Sequence, residues 1–149
     1  MTTASYDTIA TALAARFAAA ALTAPVGYAT VRSSTANPPG AIGPTPAVVV
    51  SVASGEFETG NTTRIGQQSW FVRFYFDQTS DLERTEPALR KWMDVLRDQL
   101  KGSVQLAGIV DRAVIASWRL GILVYGGVDY TGLELTVYTA TSEGWVATA

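Results

Sequence analysis

The sequence contains no cysteine and no histidine. The first absence removes disulfides, thiolate nucleophiles and sulfur-ligated metals. The second removes the commonest acid/base group and the commonest metal ligand. Charge is also scarce: Asp, Glu, Lys and Arg make up 16% of the 149 residues, against about 25% in an average soluble domain. With 11 basic and 13 acidic residues the net charge is −2, so no field for steering DNA is expected. Only Asp7, Arg16 and Arg32 are charged before Glu56. No run reaches the roughly 18 apolar residues that a membrane span needs, and no membrane contact is expected. "IATALAARFAAAALTA" looks like a secretory h-region, but no basic segment precedes it and Arg16 interrupts it, so it reads as mature sequence. The expected place is the cytosol or a particle assembled there.

What is present suits one domain spanning residues 1–149, a size that buries roughly 70% of the unfolded chain's surface. Tyr6, Ile9, Leu13, Phe17 and Ala20 fall within about 80° at helical spacing, predicting an amphipathic helix from Tyr6 to about Ala21. Its other sides carry Ala14, Ala15, Ala18 and Ala19. Either alanine simply favours helix, or its small side chains let a second surface approach closely. "VGYATV", 26–31, predicts a short strand, and 33–46, "SSTANPPGAIGPTP", a flexible Pro/Gly-rich loop, long for a compact domain. "AVVVSVA", 47–53, reads as a buried strand. It predicts a long hairpin with "SWFVRFYFD", 69–77, whose arm, about 54–67, projects from the body with its tip near Gly60 and Asn61 and carries Phe57 and Ile65.

A second helix is predicted with Thr85 as N-cap, Glu86 and Pro87 in its first turn and Gly102 past its end. Leu89, Trp92, Met93, Leu96 and Leu100 share one face, and Arg90, Lys91, Asp94, Arg97, Asp98 and Lys101 the other, with Arg90 placed to pair with Asp94. Aspartates among the basic residues argue against a phosphate groove. "RAVIASWRLGILVY" and "YTGLELTVYTATS", separated by Gly126, Gly127 and Asp129, predict a terminal hairpin. In its second strand Thr131, Leu133, Leu135, Val137 and Thr139 form the drier face. The order predicts an α+β fold: a mainly antiparallel sheet, two helices on one face, and a projecting hairpin arm. Ile9, Leu13, Phe17, Trp92, Met93, Leu96 and Leu100 are the expected core.

Chemistry has little to work with. Glu56 and Glu58 share a strand face, as an acid/base pair or a hard-cation site needs, but no third oxygen ligand lies near them in sequence, which favours two solvated carboxylates on a hairpin arm. "GNTTRIG" lacks the Gly-Lys-Ser/Thr ending of a phosphate loop, and Asn61-Thr62-Thr63 is a glycosylation triplet without a secretory signal. A Ser-Lys dyad would have to use Lys91 or Lys101 on the charged helix face. No catalytic residue, metal ligand or cofactor is assigned.

The stretch at 69–77 is the most telling. Trp70, Val72, Phe74 and Phe76 point one way while Phe71, Arg73 and Tyr75 point the other, so both faces carry bulky apolar groups. With the helices on one face, Phe71, Tyr75 and Tyr138 are left over, and a neighbouring subunit is the expected cover. On that reading Tyr75→Asp leaves a folded domain that no longer assembles, whereas Leu96→Asp unfolds it.

An N-terminal amphipathic helix, a Pro/Gly-rich loop into a Val-rich strand, a hairpin ending in "WFVRFYFD", the helix "EPALRKWMDVLRDQL" and a terminal "YTGLELTVYTAT" together resemble the tail terminator proteins of long-tailed bacteriophages. The resemblance covers nearly the whole chain and rests on length, order and pattern rather than on an invariant motif. It implies a structural virion protein of the tail or neck, assembled in the host cytoplasm and without enzymatic activity. Its homohexameric ring would cap the tail tube, stop polymerisation of the tube protein and join the tail to the head-tail connector. DNA would pass through unbound. Such a ring needs a heterologous interface, for which Phe71, Tyr75, Ala14, Ala18, Phe57 and Ile65 are the candidates. Three other readings stand beside it: another neck or head completion protein, a small binding domain with a pocket near Phe71, Tyr75 and Trp118, and a carboxylate enzyme using Glu56 and Glu58.

Overall fold

The computed structural model describes residues 4–60, 63–101 and 105–144. Ser5 caps the first helix: its hydroxyl accepts the Thr8 amide at 3.2 Å, satisfying one orphan N–H. Helix α1 (Tyr6–Arg16) is shorter than its periodicity predicts. Phe17 tightens the last turn by donating to the Ala14 carbonyl at 3.3 Å. A further turn, closed by the Ala21 and Leu22 amides on the Ala18 carbonyl, then brings Leu22 into the core. Burying a leucine is worth about 2 kcal/mol, more than the few tenths of a kcal/mol per residue that extra helical alanines supply. Ile9, Leu13 and Phe17 are buried, whereas the two ends of the expected stripe, Tyr6 and Ala20, are exposed.

No strand forms at 26–31. Pro25, Val26, Gly27 and Tyr28 make a turn closed by the Tyr28 amide on the Pro25 carbonyl, with Gly27 at φ +88°, the third-position requirement of a type II turn. The strand appears instead inside the expected loop, as β1 (Ser33–Thr35). Strands β2 (Ala47–Thr59) and β3 (Thr63–Asp77), helix α2 (Leu82–Asp98), and strands β4 (Arg112–Tyr125) and β5 (Val128–Gly144) follow. The five strands form one sheet in the order β1-β2-β3-β5-β4. β1 runs parallel to β2 and the other pairs are antiparallel. The architecture is α+β and mainly antiparallel, as the element order predicts.

Helix α2 starts a turn earlier than expected. Asp81, not Thr85, is its N-cap and accepts the Arg84 amide at 3.2 Å, while the Thr85 hydroxyl donates back to the Asp81 carbonyl at 3.0 Å. Pro87 therefore lies inside the helix, where it forgoes one backbone hydrogen bond near the N-terminal end. The expected stop at Gly102 lies outside the described residues. Arg90 pairs with Glu86 at 3.7 Å, and Asp94 with Arg97 at 3.4 Å, in place of the expected Arg90–Asp94 pair. These exposed pairs contribute little to stability.

Both helices lie on one face of the sheet. Ile9 and Leu13 from α1 with Phe17 at its C-cap, and Leu89, Trp92, Met93 and Leu96 from α2 with Leu100 just past it, pack on Val48, Val50, Trp70, Val72, Phe74, Leu133, Leu135 and Val137. The Phe74 and Trp92 ring centroids are 4.7 Å apart. At the margin of this core the Trp70 indole donates to Thr139 (2.9 Å), Thr139 to Gln68 (2.8 Å) and Gln68 to Thr141 (3.2 Å). This chain satisfies the buried Gln68 and leads from the body into the arm. The arm has three strands rather than two, because β5 runs alongside β3 as far as the Thr63–Gly144 pair while β4 ends its pairing with β5 at Arg112–Ala140. Gly60 closes the tip with its amide on the Thr63 carbonyl, 2.7 Å; the Asn61 half of the expected turn lies outside the described residues.

Candidate functional site

The question raised by the stretch at 69–77 has an internal answer. Part of the segment 36–46 lies on the sheet face opposite the helices, where Ile42 packs on a second cluster of Val49, Tyr75, Leu123 and Tyr130 with Tyr125 and Val128. The Tyr125 hydroxyl donates to the Pro39 carbonyl. Tyr75 meets Tyr125 and Tyr130 edge-on, with centroids 5.8 and 5.4 Å apart, a favoured aromatic geometry. It is 2% exposed. The expectation that only another subunit covers Tyr75 is thereby corrected; within the expected loop 33–46, Ser33–Thr35 pairs as β1 and Ile42 supplies part of the cover. The visible signal was Gly121 and Gly132: glycines inside a strand pattern mark close approach of other groups, and here Gly132 pairs with Tyr75 and Gly121 with Gly132.

Next to this cluster the face turns polar. Arg73 donates to Glu134 at 2.7 Å and Arg119 approaches the same carboxylate at 3.7 Å. The Arg73 guanidinium lies 4.7 Å from the Phe71 ring centroid, so half-buried Phe71 is stacked rather than bare. Burial pushes the Tyr75 hydroxyl above its ordinary 10.0; Arg73 pulls it down, and Tyr125, Glu134 and Tyr130 push it further up. The unfolded chain thus releases this proton first. That share of stability is complete below the unfolded pKa and is lost as pH rises through the folded one. Tyr75→Phe is expected to lack this alkaline loss, which melting curves of both proteins at about pH 8 and about pH 11 would reveal.

Among the other candidates, Ala14 is buried: the surface that approaches it is the chain's own β1, whose Ser34 hydroxyl donates to the Ala14 carbonyl at 2.6 Å. Ala18 lies past the end of α1 and is half-buried. Phe57 and Ile65 are exposed on the arm, 56% and 47%. They lie on opposite faces, since Phe57 pairs with Gly66 while Ile65 pairs with Glu58. The Arg64 guanidinium caps the Phe57 ring at 4.4 Å. Glu56 and Glu58 do share a face and are exposed. Among the described residues no group of three or more acidic side chains is placed to hold a metal, and no helix is long and apolar enough to cross a membrane. Lys91 is set over the Tyr28 ring at 5.6 Å.

Trp118 does not converge with Phe71 and Tyr75. It pairs with Leu135, which faces the helices, whereas Phe71 and Tyr75 face away from them. It stands 56% exposed at the mouth of a groove of about 660 Å³ between α2 and β4, lined by Met93, Arg97, Leu100, Ile115 and Leu120. Sequence reasoning missed this groove, because no periodicity tells which strand ends a sheet. Val52 and Val124, 60% and 64% exposed, were missed for the same reason. No protein-family model and no curated protein matches this chain.

Proposed function

We propose that the chain is a structural subunit of a long-tailed bacteriophage, a tail terminator whose hexameric ring caps the tail tube and joins it to the head connector. The observation that carries this reading is the three-stranded arm, which extends beyond the end of β4 and holds Phe57 and Ile65 exposed. Apolar groups on both faces of a projection are poorly suited to an isolated monomer. They suit a part that reaches a neighbouring subunit. The mechanism is geometric: a ring seated on the growing end of the tube leaves no site for the next tube subunit, and its opposite side offers a docking surface for the head. A heterologous contact that closes after six copies meets that need. The virion is the site of action, with the tube and connector proteins as partners.

Native mass spectrometry at high protein concentration tests the reading. A hexamer is the expected result. A strict monomer, unchanged when tail tube protein is added, overturns it. Phe57→Asp with Ile65→Asp is expected to abolish assembly while keeping the melting temperature, because surface substitutions usually change stability by only about 0.5 kcal/mol. Which end of the tail the ring occupies, seen by electron microscopy of labelled particles, separates a terminator from another neck component.

A further inference from the structure

Among the described residues, the strand order leaves two long backbone edges unpaired. β1 covers β2 only at Ala47–Val49, so the arm portion of β2 has a free edge. β4 is the last strand at the other side. Each presents a row of hydrogen-bonding groups that templates pairing with another strand.

The two edges match in detail. On the face away from the helices the arm edge shows Glu56 and Glu58, which pair with Gln67 and Ile65. On that same face β4 shows Arg112 and Arg119, which pair with Ala140 and Glu134. On the helix-facing side the free edge of β2 shows Val52 in the body and Phe57 on the arm, opposite Trp70 and Gly66. There β4 shows Ile115 and Trp118 beside the groove under α2. A sheet continued from one copy to the next would bring acid beside base on one face and apolar beside apolar on the other. Phe57 lies between Glu56 and Glu58, and Trp118 directly precedes Arg119. With the helix-bearing faces on the same side the two edge strands run antiparallel, so placing Phe57 beside Trp118 sets Glu56 beside Arg119.

We infer that the β4 edge and its groove receive the arm edge of a second copy of this chain, with Phe57 entering beside Trp118. The contact is heterologous, so each copy keeps one edge for the neighbour on either side, and the series closes as a ring or runs on as a filament. The inference rests on the ring reading above and names the two surfaces that meet.

The absence of cysteine makes the test clean. Phe57→Cys and Trp118→Cys change exposed side chains and are introduced singly and together. Each protein is treated with a thiol crosslinker of about 10 Å reach, enough to span neighbouring strands about 4.8 Å apart with their side chains. Within one copy the two sites are separated by three strand intervals, roughly 14 Å, and by about 20 Å along the strands, so a link joins two copies. The expected result is a ladder of covalent multimers from the double variant and none from either single variant. Oligomers seen by native mass spectrometry without the ladder overturn the edge pairing and leave the ring reading standing. Links in Trp118→Cys alone show two β4 edges meeting across a two-fold axis and overturn it as well. A parent protein that stays monomeric with tail tube protein added, together with a double variant that gives no links, overturns both readings.

Discussion

Tyr75→Asp is expected to unfold the domain rather than merely disperse an assembly. Tyr75 is 2% exposed, with Tyr125 and Tyr130 edge-on and Val49 and Leu123 in the same cluster. Removing a large buried ring costs about 3–5 kcal/mol, and an unpaired buried carboxylate adds several more. Arg73 cannot compensate fully, because its guanidinium is already engaged by Glu134 at 2.7 Å, and Glu134 repels a second negative charge. The sum is comparable with a whole domain's stability of about 5–15 kcal/mol. Circular dichroism at room temperature should show loss of the native signal, as for Leu96→Asp, where a fully buried leucine is replaced. Phe71→Asp should stay folded, because Phe71 is only half-buried and the new carboxylate would face Arg73. A Tyr75→Asp protein that melts within a few degrees of the parent would mean that the second cluster is not a core at all.

The reversal at Tyr75 shows where the sequence was legible. Periodicity identified the helix-facing core because Ile9, Leu13, Phe17, Trp92 and Leu96 recur at helical spacing, and Leu133, Leu135 and Val137 alternate as a half-buried strand does. The terminal hairpin was visible in Gly126-Gly127, whose φ of +59° and +79° are what a tight two-residue turn demands. The loop was the blind spot. "SSTANPPGAIGPTP" has no period, so nothing announced that Ile42 would pack on Tyr75 or that Ser33–Thr35 would pair with β2 in parallel. Such contacts depend on the path of the chain through space. The interface candidates fared by the same rule: Phe57 and Ile65 stand out on the arm that was expected to project, whereas Tyr75 and Ala14 are covered by segments whose course local pattern does not encode. Trp118 and the β4 edge were invisible because strand order is set by long-range pairing.

Gly132→Ala is expected to be the most damaging small substitution in the sheet. β3 carries a bulge at Phe76, where the register moves from Tyr75–Gly132 to Asp77–Thr131. A Cβ on Gly132 would overlap the Phe74 carbonyl oxygen and come within 3.0 Å of the Leu123 side chain. The first obstacle is backbone, held in the β3–β5 ladder, so it cannot swing aside as a flexible side chain would. Overpacking of this kind costs about 3 kcal/mol or more. At roughly 2–4 °C per kcal/mol for a chain of this length, the melting temperature should fall by about 6–12 °C. Gly40→Ala is the control, since nothing lies within 4 Å of the added methyl and its φ is not positive. There the smaller unfolded-state entropy leaves stability unchanged or slightly raised. If Gly132→Ala and Gly40→Ala melt together, the close approach at the bulge is absent.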